Sequence, residues 1–182
     1  LGNCYHDGIG VEQSYEKAFM LYLQGSAKGN DNARRSLAWA YAYGEGVKQD
    51  REEALRIFQQ FDPDTYPEYQ IGMMYADTCQ SYEDGKQAIL WLEKLIERAE
   101  YLPAMVLLAE CYSFLFKDYM ESYYERADYL LEKALEKKYS DAAFRLGMNI
   151  FYKDSLITDI NRAVELFEMA ADRNPYSYYM LF

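Results

Sequence analysis

The chain has 182 residues, 51% of them apolar, and carries 30 acidic against 19 basic side chains for a formal net charge of −11. This is enough apolar content for one domain with a core, and too much for a disordered acidic tail. The negative balance repels phosphate backbones and anionic lipid, which excludes nucleic acid and membrane as expected partners, and no apolar run approaches the roughly 20 residues of a membrane helix.

Apolar spacing and breaker residues predict helices over residues 1–7, 14–28, 31–43, 50–61, 66–77, 84–100, 103–116, 122–138, 141–152, 159–173 and 175–182. Ser14, Asp50, Asp84, Ser122 and Asp159 stand where N-caps are wanted. Gly29 and Asn174 stand where a left-handed residue ends a helix. Pro63, Pro67, Pro103 and Pro175 fall in links between helices.

These helices repeat in pairs. Leu1-Gly2 followed by Tyr5, Gly8, Gly10 and Val11 recurs 36 residues later as Leu37-Ala38 with Tyr41, Gly44, Gly46 and Val47. Ala18 and Ala54 each follow their tyrosine by 13 residues. The same marks continue as Ile71-Gly72, Tyr75 and Ala88, then Leu108-Ala109, Tyr112 and Ala127, then Leu146-Gly147, Ile150 and Ala163. An apolar pair follows each alanine: Leu21/Tyr22, Ile57/Phe58, Trp91/Leu92, Leu130/Leu131 and Leu166/Phe167. The first helix of each unit (helix A) thus carries a leucine or isoleucine and a small residue that permits close approach. The second (helix B) carries an alanine and a layer-filling pair. Such short helices draw their stability from stacking on neighbours. The expected architecture is all-α, with five helix-pair units near residues 1–32, 33–66, 67–103, 104–141 and 142–175 and a partial helix over 176–182, in a single domain.

No constellation for chemistry emerges. His6 is the single histidine and has no serine or cysteine partner in a recognisable motif. Gly8 and Gly10 form a G-x-G, but the repeat turn explains them, since they recur as Gly44 and Gly46. Acidic pairs such as Glu52-Glu53 and Glu83-Asp84 lie at helix-B starts, where the helix dipole favours them. Arg34-Arg35 and Lys137-Lys138 are pairs on helix faces rather than a basic stripe. Cys4, Cys79 and Cys111 have no metal spacing, and as unpaired thiols they favour a cytoplasmic compartment. No enzyme, metal or cofactor is expected.

The pattern L-G-x-x-Y-x-x-G-x-G-V, with Ala18, Leu21, Tyr22, Gly29, Asn30 and Ala33 downstream, resembles the Sel-one-like repeat (SLR), a relative of the tetratricopeptide repeat. The likeness is tight to about residue 60; later units lose the glycine turn and keep the spacing. It implies a right-handed α-α superhelix, a solenoid, with helix A on the concave side, and a protein–protein interaction scaffold or adaptor. One secreted branch of the family binds or hydrolyses β-lactams and carries a cysteine pair in every unit. Here Cys4 and Cys111 share one repeat position three units apart, on the order of 30 Å at about 10 Å per packed unit, too far to bridge.

In tetratricopeptide-like units the ligand-facing positions of helix A lie two before the leucine and two, five and six after it. Carried over, they give a concave groove of Asn3, His6 and Asp7, then Arg35, Trp39 and Tyr43, then Tyr69, Met73 and Asp77. Glu110, Ser113 and Phe114 follow, and last Phe144, Met148 and Tyr152, with Phe144 and Met148 also suited to packing on the next helix. Trp, Tyr, Phe and Met of this kind form interface cores. The expected partner is a protein or peptide, bound as an extended segment or helix. A regulatory repeat module of a larger multidomain protein is the alternative, and a β-lactam hydrolase a more remote one. The repeat register starts and stops inside a helix A, so the chain reads as a slice of a longer array whose uncapped ends could self-associate.

Overall fold

The computed structural model describes residues 1–115, 121–153, 160–171 and 180. Among them are ten α-helices and no strand: α1 (Gly2–Asp7), α2 (Tyr15–Ala27), α3 (Asp31–Tyr43), α4 (Arg51–Phe58), α5 (Pro67–Asp77), α6 (Tyr82–Arg98), α7 (Leu102–Leu115), α8 (Glu121–Glu136), α9 (Ser140–Lys153) and α10 (Ile160–Ala171). The odd-numbered helices are the A helices and the even-numbered ones the B helices. None is long and apolar enough to cross a membrane. The expected helix over 175–182 and the caps Ser122, Asp159 and Asn174 lie outside the described residues or side chains.

The chain forms two compact units, Leu1–Gln80 and Ser81–Phe182. In the first, α1 to α5 each pack on the next in sequence; in the second, α6 to α10 do the same, and α7 also meets α9. The repeat marks explain the packing. Ala18, Ala54, Ala88, Ala127 and Ala163 are all at most 1% exposed. A methyl group there lets the neighbouring helix close in, and the following pair fills the layer: Phe58, Leu92, Leu131 and Phe167 are fully buried. The small residue of helix A receives that layer. A Cβ built on Gly2 would fall 2.5 Å from the Tyr22 ring, and one on Gly147 would fall 2.8 Å from the Phe167 ring.

Helix ends follow local chemistry. Ser14, Asn30 and Asp50 cap α2, α3 and α4 by accepting the backbone N–H three residues on. Gly29, at φ 79°, closes α2, with the Asn30 N–H returning to the Gly25 carbonyl at 3.0 Å. The cap of α6 is Ser81, not Asp84: its hydroxyl accepts the Asp84 N–H at 3.2 Å, so the helix starts earlier and Asp84 becomes a buried acid in the first turn. This is the serine-x-x-acid arrangement, in which the acid also suits the helix dipole. Helix α4 is shorter than the pattern predicts. It stops at Phe58, and Phe61 turns back into the core before a 3₁₀ turn at Pro63–Thr65 and a left-handed Tyr66 at φ 54°. Proline at the start of α5 needs no N–H there.

The repeat tyrosines do different jobs in the two units. Tyr41 receives the edge of Phe19 from α2 at 5.4 Å. Tyr112 is fully buried. Its hydroxyl donates to Glu93 at 2.5 Å, and Arg126 donates to the same carboxylate at 3.0 Å. Burial and the Glu93 charge push the Tyr112 phenol above its ordinary range.

The glycine turn joins repeats as well as helices. Gly44 and Gly46 have φ 79° and 71°, and a Cβ on Gly46 would meet the Tyr15 carbonyl oxygen at 2.2 Å. The second repeat's turn therefore rests on the first turn of α2. Glu45, between the two glycines, accepts from His6 Nε2 at 3.0 Å, while His6 Nδ1 lies 2.5 Å from Asp7 and Tyr15 packs edge-on against the imidazole at 5.3 Å. The hydrogen bond to Asp7 raises the His6 pKa above 6.5; burial opposes this and Glu45 adds to it.

Two measurements test this joint. Gly46→Ala should cost about 3 kcal/mol, roughly 1 from the left-handed backbone and 2 from the collision with fixed main chain. Gly10→Ala has a comparable φ and nothing within 4 Å of its built Cβ, so it should cost about 1 kcal/mol; urea unfolding separates the two. A raised folded pKa means that the His6 contribution is complete below the unfolded value and lost as pH rises through the folded one. The stability advantage of wild type over His6→Gln should be larger at about pH 5.5 than at about pH 8.5; a flat difference would exclude the bridge.

Candidate partner-binding face

In residues 1–80 the A helices are α1, α3 and α5, and the structure links several of the expected groove residues across repeats. Trp39 is half-buried. Its indole stacks on Tyr43 (centroids 5.3 Å, 16° between planes) and meets the edge of Phe58 at 5.3 Å. The indole N–H donates to Gln70 at 3.2 Å, and the Tyr43 hydroxyl donates to Asp77 at 2.8 Å. Both bonds run from α3 to α5, so two repeats hold one aromatic pair. Tyr43 keeps 43% of its surface exposed. Burial, then the hydrogen bond to Asp77 and its charge, then the Glu45 charge raise its phenol pKa.

The other expected residues of this unit divide. Tyr69 and Met73 are half-buried and Asp77 is exposed. His6 belongs to the Asp7–Glu45 bridge. Asn3 accepts from the Tyr22 hydroxyl at 3.0 Å and so ties α1 to α2. Arg35 lies over the buried Phe61 ring at 5.4 Å, beside Arg34 at 4.7 Å. Gln70 and Glu45 escape the repeat-position rule. Gln70 sits one residue before Ile71, and Glu45 lies in the turn; its place between two glycines was the available signal.

In residues 81–182, Glu110 of α7 pairs with Arg145 of α9 at 2.5 Å, again from one A helix to the next. Ser113 is half-buried, and Met148 likewise. Phe144 is 9% exposed and packs on Phe167 at 5.9 Å. It belongs to the core, because helix B of its own unit reaches it. The side chains of Phe114 and Tyr152 lie outside the described residues.

An open cleft of about 410 Å³ between α1 and α2 is lined by Leu1, Tyr5, Met20 and Leu21 among others. The residues 36 later, Leu37 and Tyr41, belong to the helix that packs on α2, with Phe19 against Tyr41. The cleft is therefore the repeat-packing side of the first helix pair. Among the described residues no three His, Cys, Asp or Glu side chains converge as metal ligands.

The Sel1 repeat profile matches residues 1–30, 32–61, 68–99 and 140–175. The stretch between contains the fourth unit, where the tyrosine-to-alanine spacing widens from 13 to 15 residues. No curated protein sequence matches the chain. A Sel1 repeat protein from Oxalobacter formigenes is similar in structure, with TM-score 0.62 and 23% identity over 97% of this chain and 72% of that one. A protective antigen of uropathogenic Escherichia coli strains, displaying an SLR fold, aligns with TM-score 0.44 and 22% identity over 99% of this chain and 46% of that one. The first of these likenesses places the fold in the α-solenoid class. With four matched copies over most of its length, the chain belongs to the Sel1 repeat family.

Proposed function

We propose that the A-helix face of residues 1–80 binds a peptide segment or helix of another protein, without catalysis. Sel1 repeat proteins are generally protein-interaction scaffolds. The observation that carries the specific reading is the Trp39–Tyr43 stack, fixed by hydrogen bonds to Gln70 and Asp77 of the next repeat. Aromatic anchors bind best when their rotamers are set before the partner arrives, since little side-chain entropy remains to be lost. Tyr69 and Met73 extend the face along α5, and Met is adaptable enough to accept varied apolar side chains. Glu110, Ser113 and Met148 are the corresponding positions of the second unit, and we read them as part of a binding face there.

The test is selection of binders from a random peptide library on the wild-type chain. Tyr43→Ala and Trp39→Ala should each weaken a selected peptide by about 30-fold, the scale of an interface hot spot. Met20→Ala, on the exposed side of α2, should leave it unchanged. Circular dichroism checks that the variants stay helical, and Tyr43, being the more exposed of the pair, is the safer of the two. Binding indifferent to Tyr43→Ala sinks the proposal.

A further inference from the structure

Resting on that reading, we infer that the partner of the Trp39–Tyr43 face is a basic segment, one that sets an apolar or aromatic anchor on the ring pair and a lysine or arginine at the rim beside it. Three A helices end at this rim. Asp7 is the last residue of α1, Asp77 is the last of α5, and Glu45 follows the Gly44 cap of α3. A helix C-terminus carries partial negative charge, so sequences commonly place cations there. Here the last turns of α3 and α5 hold no basic residue, and that of α1 holds only His6. Carboxylates added to negative helix ends work against the stability of the isolated chain. They create a standing negative potential at the edge of an exposed aromatic pair, and that is the complement of a cation.

Among the described residues, the cationic side chains bonded at these helix ends are one imidazole and one guanidinium, against three carboxylates. The Tyr43 hydroxyl gives Asp77 a neutral donor. Glu45 and Asp7 share the single imidazole of His6. Arg51 of α4 reaches the end of α5, where it donates to the Thr78 carbonyl at 3.2 Å and lies over the Tyr75 ring. Asp7, Glu45 and Asp77 are three of the 30 carboxylates that give the chain its formal charge of −11. The ring pair adds to the preference, because the face of a tryptophan or tyrosine attracts ammonium and guanidinium groups.

The experiment is a random peptide library selected in parallel on the wild-type chain, on the triple variant Asp7→Asn/Glu45→Gln/Asp77→Asn, and on Tyr43→Ala. Wild-type pools should be enriched in Lys or Arg next to an apolar residue. A synthetic peptide from that pool should bind the triple variant at least about tenfold more weakly, and this gap should narrow in about 0.5 M salt. The amides keep the shapes of the acids; if the triple variant loses helicity, Asp77→Asn alone should still weaken binding by about threefold. Pools without charge bias that depend on Tyr43 overturn this inference and leave the groove reading intact. Basic pools bound equally by all three proteins overturn both, since they report only diffuse attraction to an acidic chain. Recovery of no pool overturns both as well.

Discussion

Everything in this fold depends on how closely helix A can approach helix B. The backbone of Gly2 lies against the Tyr22 ring, and that of Gly147 against the Phe167 ring, with no room for a methyl group. On the other side of the same layer, an alanine that is at most 1% exposed recurs in every helix B. Small residue against large ring is a shape rule rather than a sum of attractions. It fixes the depth to which each pair interlocks, and dense packing makes such depth hard to vary. Once depth is fixed, the turn between the helices must reverse the chain in very few residues, and the left-handed glycines of the first two repeats follow from that.

The same constraint explains what was legible in the sequence. The alanine and the apolar pair after it recur in all five units at a fixed offset from each other, and the turn glycines in the first two, because each answers a contact inside the repeat, and periodicity reports such contacts directly. The A-helix face was legible only as a set of positions. Trp39, Tyr43 and Asp77, all members of that set, are in contact, but Gln70 and Glu45 do not follow from it. Their partners sit on another repeat, and the offset between repeats is a property of stacking that no single helix encodes. Phe144 shows the converse. Its repeat position nominates it for the surface, but Phe167 is within reach and burying two rings is worth more than exposing one. The α6 cap falls at Ser81, three residues before the expected Asp84, because both residue types are competent caps and the pattern alone does not choose between them.

Polar groups supply the specificity that apolar packing lacks. Tyr112 of α7 and Arg126 of α8 both donate to Glu93 of α6, and Arg145 and Glu110 tie one A helix to the next. In the first unit the comparable links are His6 to Glu45, Trp39 to Gln70 and Tyr43 to Asp77. Hydrogen bonds of this kind add little net stability each. They select one rotation of a repeat about its neighbour out of several that hydrophobic contact alone would tolerate.

The two bonds that hold the Trp39–Tyr43 pair have a consequence for how such arrays diverge. Each ring belongs to one repeat and its anchor to the following one. The unit that carries an anchored ring pair is then the seam between consecutive repeats, not the repeat. Copying one helix pair elsewhere in an array would carry the rings without their anchors, or the anchors without their rings. Gain or loss of a single repeat would preserve the stack and yet erase one seam and write another, so the surface of an array can change by duplication without any substitution in its residues.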